Sequence, residues 1–195
     1  MRKSASFLLL LCVLFGALGV SASQSYERLA RVSVATLHGS EGLSIDPLSE
    51  IGVILLAVND CTIMVNGSPV ALKSGERSFV HSRQTVHVNS SDTRPPLLVV
   101  VNVRTARQTL TFDRIELVPG KVMEDASARN ETLLVALTAL HLRDIIDNSE
   151  EGEPSNYGQP RSIELPAGKT AWLPPGMHQI TNVGGSPARL VTIEW

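Results

Sequence analysis

Short runs rich in Val, Ile, Leu and Thr alternate along the chain with clusters of Gly, Pro, Asn and Asp, and this pattern predicts an all-β protein. The first series of predicted strands is Leu29–Thr36, Gly52–Val58, Cys61–Val65, Ser78–His81, Val86–Asn89 and Leu97–Val103. The second is Phe112–Val118, Thr132–Thr138, Leu140–Ile145, Ser162–Leu165, Thr170–Leu173, Gln179–Asn182 and Arg189–Glu194. The segment from Asn130 to Ile146 fits a helix as well as strands by its periodicity, and the repeat described below favours strands.

Two polar pairs in the first series are predicted to form hairpin turns. Asn59-Asp60 and Asn66-Gly67 each separate two apolar runs. Asn, Asp and Gly tolerate the positive φ that two-residue hairpin turns require. We therefore expect a hairpin at each pair.

The two series of strands match each other at a fixed separation. The matched pairs are Leu72 with Leu165, Phe79 with Trp172, Asn89 with Asn182 and Leu97 with Leu190 at 93 residues, and Leu55 with Leu134 at 79 residues. The difference of 14 residues corresponds to one insertion in the second copy, a polar segment from Asp147 to Arg161. We therefore predict two copies of one β unit, residues 24–106 and 107–195, with the insert at 147–161 on the surface.

The first 23 residues read as an export signal. Arg2 and Lys3 precede an apolar run of 14 residues from Phe7 to Val20, and Val20-Ser21-Ala22 suits a cleavage site. The alternative is a retained membrane anchor, but the run is short for a membrane-spanning helix. Cleavage would leave 172 residues, shift the formal net charge from −2 to −4 and leave Cys61 as the sole cysteine. The expected location is secreted or periplasmic, with no membrane partner after cleavage.

The end of the second copy resembles a known family signature. Gly168, Pro174, Gly176, His178 and Asn182 match the second signature of the cupins, which runs G-x5-P-x-G-x2-H-x3-N, except that a single residue separates Gly176 from His178. The resemblance covers Ser162 to Trp195 well, and the repeat extends it weakly over the rest. It implies two small double-stranded β-helix (jelly-roll) barrels in tandem, in which the closed sheets hide their edges.

The resemblance also implies where a metal would sit, and the residues there are largely missing. Cupin enzymes hold a divalent metal with a first signature, HxH followed by Glu, and with the His of the second signature. By position, the first copy offers Ser44-Ile45-Asp46 with Glu50, and the second offers Met123-Glu124-Asp125 with Glu131. His178 is present, but its counterpart in the first copy is Thr85. Since transition-metal sites need three or four converging ligands, we expect no metal-ligating residues and no cofactor, with a divalent metal as the alternative.

Four residues remain as candidate ligand-binding positions. His178 and Asn182 share one face of a predicted strand with Ile180, and that face would point into a barrel. His178 would contact a ligand or serve as a hydrogen-bonded structural imidazole. His141 could line the same barrel, although Leu140 and Leu142 beside it allow the opposite facing. Trp172 is the fourth candidate, and its repeat equivalence with Phe79 favours a core role over ligand stacking.

The chemistry of the chain favours binding over catalysis. No phosphate loop, nucleophile elbow or HExxH motif is present, so we assign no catalytic residues. A net charge near zero without a basic run argues against nucleic acid as a partner. The favoured function is an exported cupin-like binding or structural module that takes a small-molecule ligand or self-associates as a homo-oligomer. The alternative is a metal-dependent oxidoreductase or isomerase that uses His178, His141 and Glu131. A third hypothesis is an assembly subunit that displays the insert.

Three segments fit the acceptor pattern for N-linked glycosylation, which matters in a host that glycosylates exported proteins. They begin at Asn66, Asn89 and Asn130.

Overall fold

The computed structural model describes residues 31–36, 42–43, 52–88, 95–103, 110–125, 131–147 and 156–194. Every regular element in these ranges is a strand, as the alternating pattern predicts. The strands are β1 Arg31–Thr36, β2 Gly42–Leu43, β3 Gly52–Ala57, β4 Cys61–Val65, β5 Ser68–Leu72, β6 Arg77–His81, β7 Val86–Val88, β8 Leu97–Val103, β9 Thr111–Leu117, β10 Val122–Asp125, β11 Thr132–Ala136, β12 Leu140–Asp147, β13 Arg161–Leu165, β14 Thr170–Leu173, β15 Met177–Asn182 and β16 Ala188–Glu194. Within the same ranges there is no helix with the length and apolarity that crossing a membrane requires.

The strands form four antiparallel sheets of four, and the same strand order occurs twice. Sheet A has the order β1-β8-β3-β6 and sheet B the order β2-β7-β4-β5. Sheet C repeats sheet A as β9-β16-β11-β14, and sheet D repeats sheet B as β10-β15-β12-β13. Each strand of the second copy therefore follows its counterpart in the first copy by eight strands, so that β9 corresponds to β1 and β16 to β8. The predicted all-β class and the pair of barrels are confirmed. The predicted boundary between residues 106 and 107 lies outside the described residues and stays a prediction.

Each barrel is filled by apolar side chains. In the first barrel, the inward-facing residues of β3, β4 and β8 alternate with residues of the opposite face, as a period of two requires. Leu55, Ile63 and Leu98 are fully buried there. In the second barrel, Leu134 and Leu142 occupy the corresponding places, and both are fully buried. Cys61 is buried in the first of these cores.

The two barrels pack against each other through sheets A and C. The outward faces of β3 and β8 meet those of β11 and β16 in a third apolar cluster, which includes Leu56, Val99, Leu133 and Ile193. Strands β3 and β11 are therefore buried on both faces; β3 is a continuous apolar run, and β11 is apolar after Thr132. At the edge of this contact the Arg77 guanidinium lies 4.3 Å from the centre of the Phe112 ring, in cation–π geometry.

One of the two predicted hairpins is confirmed. Asn66 and Gly67 connect β4 to β5 and have φ of 50° and 79°, as a two-residue hairpin turn with two positive φ values requires. The segment from Asn130 to Ile146 is also strand in its described part, as the repeat predicted.

The prediction of a hairpin at Asn59-Asp60 was wrong. Strand β3 pairs in sheet A and β4 pairs in sheet B, so the two residues connect one sheet to the other. Their side chains bond to distant backbone: the Asn59 amide accepts from Leu97 N (2.8 Å), and Asp60 accepts from Ser74 N (2.9 Å). The short polar side chains favour a corner as well as a hairpin, and tertiary contacts decide between them.

Candidate functional site

Strand β15 presents His178, Ile180 and Asn182 to the interior of the second barrel. All three side chains are buried, with at most 1% of their surface exposed. The alternation of strand side chains places them on one face, and the predicted inward facing of this trio is confirmed. The strand begins directly after the turn Pro174-Pro175-Gly176, in which Gly176 has a φ of 145° that other residues rarely adopt.

His178 uses both of its ring nitrogens within the protein. Nδ1 lies 2.8 Å from Asp144 Oδ1, and Nε2 lies 2.8 Å from the backbone oxygen of Pro174. Asp144 belongs to the neighbouring strand β12, and its side chain is fully buried. The turn before β15 places the Pro174 carbonyl within hydrogen-bond distance of Nε2. The histidine is therefore held between an anion and a carbonyl dipole.

Arg161 completes this group from the rim of the barrel. Its Nη2 atom donates to Asp144 Oδ2 at 2.6 Å, while 43% of the arginine side chain remains exposed. Arg161 begins β13 and lies directly opposite Asp144 in the strand register. The two oxygens of one buried carboxylate thus accept from two cationic side chains. We call His178, Asp144 and Arg161 the ion triad.

The ion triad requires a charged imidazole. A carboxylate and a carbonyl both accept hydrogen bonds, so each ring nitrogen of His178 must carry a proton. Burial by itself lowers the pKa of His178, but the hydrogen bonds to Asp144 and Pro174 outweigh it and raise the pKa above its ordinary value of 6.5. Burial by itself raises the pKa of Asp144, but the bonds from His178 and Arg161 outweigh it and lower that pKa below 3.8.

The residues around His178 do not fit the divalent metal that the resemblance implies. A metal ligand needs an unprotonated ring nitrogen, and both nitrogens of His178 already donate to internal acceptors. In the part of the chain that the structure describes, no three His, Cys, Asp or Glu residues come together as a metal site. The backbone of Asp125 lies opposite His178 in the register of β10 and β15, and Glu131 is half-buried with a pKa that burial raises. Binding a metal through His178 would require breaking the ion triad.

Asn182 is fully engaged in supporting the other end of the barrel. Its Nδ2 atom donates to Leu117 O at 2.8 Å and to Ser186 O at 2.9 Å. Its Oδ1 atom accepts from Gly184 N at 2.9 Å. These bonds close the turn after β15 and tie it to the end of β9. In this conformation the amide has no spare donor for a ligand.

The other two candidate residues lie outside the second barrel's interior. Of the two facings that the sequence left open for His141, the structure shows the outer one, because Leu140 and Leu142 take the inward positions of β12 and leave His141 exposed. Trp172 is half-buried and packs against the cluster between the barrels, whereas its repeat equivalent Phe79 is exposed, so the two rings do not fill matching core places as the repeat predicted. Ligand binding by the four predicted residues stays a prediction.

Asp144 and Arg161 were missed in the sequence. Arg161 was assigned to the polar insert, where an exposed arginine is ordinary. Asp144 follows Leu140 and Leu142 at a period of two, and that spacing is a signal that a carboxylate points inward and needs a cation. The identity of the cation depends on contacts across three strands, so it could not be read from the chain alone.

The first barrel has no equivalent of the ion triad. The residues at the matching positions are Val65, Ser68 and Thr85. Val65 packs against the apolar core, and Thr85 is exposed. At these matching positions, only the second copy carries charged side chains.

Solved structures of distant proteins share this fold. A conserved protein of unknown function from Pseudomonas aeruginosa is 16% identical, with a TM-score of 0.60 over 85% of this chain and 79% of that one. A cupin 2 conserved barrel domain protein from Leptotrichia buccalis is 11% identical, with a TM-score of 0.50 over 86% and 84%. A variant of oxalate decarboxylase from Bacillus subtilis is 9% identical, with a TM-score of 0.61 over 87% and 70%. Identities this low show likeness of fold alone.

The sequence itself matches no protein-family model and no curated protein.

Proposed function

The chain has the cupin fold, with two double-stranded β-helix barrels in tandem, and from this premise we propose that it is an exported, non-enzymatic binding or structural module. The observation that carries the proposal is the ion triad. The histidine that corresponds to the second cupin signature is bonded at both nitrogens to groups that accept hydrogen bonds, which favours its charged form. An imidazolium neither coordinates a metal nor acts as a general base.

The filling of the barrels supports the same proposal. Catalytic and cofactor sites are generally concave and combine an apolar lining with a few convergent polar groups. Here the described inward positions of the first barrel are occupied by buried aliphatic side chains such as Leu55 and Ile63. In the second barrel the described charges are paired with one another. Neither arrangement offers a free reactive group to a substrate.

Metal analysis of the purified mature chain tests the proposal. The protein is incubated with Mn²⁺, Fe²⁺, Ni²⁺ or Zn²⁺, dialysed, and its metal content is measured beside that of His178→Ala and His87→Ala. His87 is exposed on β7 and serves as the matched control. We expect metal far below one ion per chain in all three proteins. Near-stoichiometric metal that is lost in His178→Ala alone would overturn the proposal and establish the metal-dependent enzyme instead.

Self-association forms part of the proposed function. Two barrels that already pack through sheets A and C leave the outer faces of sheets B and D for contacts with a partner. Light scattering on the mature chain after size exclusion measures this directly. We expect a mass of two or more chains, and a monomer at the highest soluble concentration would contradict self-association.

A further inference from the structure

The tip of the hairpin between β4 and β5 carries an Asn-Gly-Ser sequence in open surroundings. Asn66, Gly67 and Ser68 are all exposed. A Cβ atom placed on Gly67 would meet no heavy atom within 4 Å. The tip is therefore exposed to solvent, with open space at the Cβ position of Gly67.

The Asn66 side chain is held in one orientation by the barrel. Its Oδ1 atom accepts from Thr85 N at 2.9 Å, and the backbone N of Asn66 donates to Thr85 O at 2.9 Å. Because the amide group is planar, fixing Oδ1 toward Thr85 directs Nδ2 away from it. None of the described residues accepts a hydrogen bond from that nitrogen. A substituent on Nδ2 would leave both bonds to Thr85 intact.

The acceptor segment at Asn130 differs from the one at Asn66 in the burial of its hydroxyl residue. Thr132 lies in β11, is fully buried and has an Oγ1 atom without a hydrogen-bond partner in the structure. Asn130 itself, and the segment that begins at Asn89, lie outside the described residues. The segment at Asn66 is the one acceptor segment that the structure describes completely, and all three of its positions are exposed.

We propose that Asn66 is an N-linked glycosylation site. The inference rests on the proposed export, because the modification occurs in a secretory pathway that glycosylates its cargo. The co-reactant is an oligosaccharide carried on a lipid pyrophosphate. The Asn66 Nδ2 atom forms a bond to the anomeric carbon of the sugar and loses one proton, and the bond from that carbon to the pyrophosphate oxygen breaks with the lipid pyrophosphate as the leaving group.

The glycan would have a physical effect at this position. Strand β5 is the last strand in the order of sheet B, and no described strand pairs with its outer side, so its backbone could pair with another chain. Pro69 already interrupts that edge. A hydrated oligosaccharide at the adjoining turn would add a steric barrier to edge pairing.

Expression of the full chain, with its own leader, in a secreting eukaryotic cell line tests the site. The secreted protein is analysed by intact mass spectrometry before and after peptide-N-glycosidase treatment. We expect a glycan on Asn66 that is absent from Asn66→Gln and Ser68→Ala and retained in Ser68→Thr and Asn130→Gln. Ser68→Ala leaves the positive-φ turn residues unchanged, so it reports on the acceptor sequence even where Asn66→Gln fails to fold.

Three results would overturn the proposal, and they are distinguishable. A wild-type protein that reaches the medium without a glycan at Asn66 shows that the site is not used although export occurs. A wild-type protein that stays in the cytosol shows that export itself fails, and the proposed function fails with it. A mass shift that survives in both Asn66→Gln and Ser68→Ala assigns the glycan elsewhere.

Discussion

Replacing Asp144 by Asn should cost a large part of the stability of the fold. The change keeps the shape of the side chain and removes its charge. Asp144 accepts from His178 through Oδ1 and from Arg161 through Oδ2. An amide in the same place turns one of these oxygens into an NH₂ group that faces another donor. The cationic imidazole then has no anion in a site where the carboxylate is fully buried.

The size of the effect follows from the burial of the site. Removing one partner of a buried ion pair costs roughly 3–5 kcal/mol, because the remaining charge is left uncompensated. The total free energy of unfolding of a natural protein is about 5–15 kcal/mol. For a chain of this size 1 kcal/mol corresponds to about 2–4 °C in Tm, so Asp144→Asn should melt roughly 6–20 °C below the wild type.

The measurement is equilibrium unfolding in urea and by heat, with Asp60→Asn as the matched control. Asp60 also accepts from a backbone or side-chain donor at each oxygen, but the Asp60–Lys73 pair is exposed, with 60% and 71% of the side chains accessible. Exposed pairs contribute little to stability, so the control should unfold with the wild type. If Asp144→Asn unfolded together with Asp60→Asn, the ion triad would have no energetic role and the reasoning above would be refuted.

Three further predictions concern pH, backbone geometry and the packing of the barrels. The pKa of His178 is raised above 6.5 and that of Asp144 is lowered below 3.8, so the ion triad should stabilise the fold fully between pH 3.8 and pH 6.5. Its contribution should be lost as the pH rises through the folded-state pKa of His178. Urea midpoints across pH that show no such decline, or a decline that persists in Asp144→Asn, would contradict this prediction. Gly67→Ala should lower the free energy of unfolding by about 1 kcal/mol, because Gly67 has a positive φ. Gly185→Ala, at a position with equally open surroundings, should be nearly neutral. Equal effects of the two substitutions in denaturant unfolding would exclude backbone strain as the cause of the loss at Gly67. Leu133→Ala should cost about 2–5 kcal/mol by leaving a cavity between the barrels, while the exposed Val183→Ala should unfold as the wild type does.

Much of the architecture could be predicted because it depends on local patterns. The alternation of apolar runs with polar clusters located most strands. The match between the two copies correctly favoured strands over a helix for β11 and β12. The strands that the pattern missed are short or interrupted: β2 has two residues, β5 contains Pro69, and β10 ends in two acidic residues. Each lies at the edge of its sheet, where a strand needs fewer apolar residues and tolerates Pro.

The site was predicted less well than the fold. The inward facing of His178 and Asn182 follows from a period of two along one strand, so the sequence carries it. The partner of His178 lies 34 residues away on β12, and the partner of Asp144 lies 17 residues further along the chain. Such pairs depend on the strand register between β12, β13 and β15. Alternate residues of β12 point to opposite faces, and the sequence does not say which set points inward. Leu140 and Leu142 point inward, so His141 between them points outward.

The protonation of His178 tests the central claim most directly. Proton–nitrogen correlation spectra of the imidazole, recorded on the mature protein at pH 6.5 in metal-free buffer and again with Mn²⁺ or Zn²⁺, report on each ring nitrogen separately. The ion triad predicts that both nitrogens carry a proton and that added metal leaves the resonances of His178 unchanged. An unprotonated nitrogen on His178 whose signal shifts or broadens when the metal is added would contradict it.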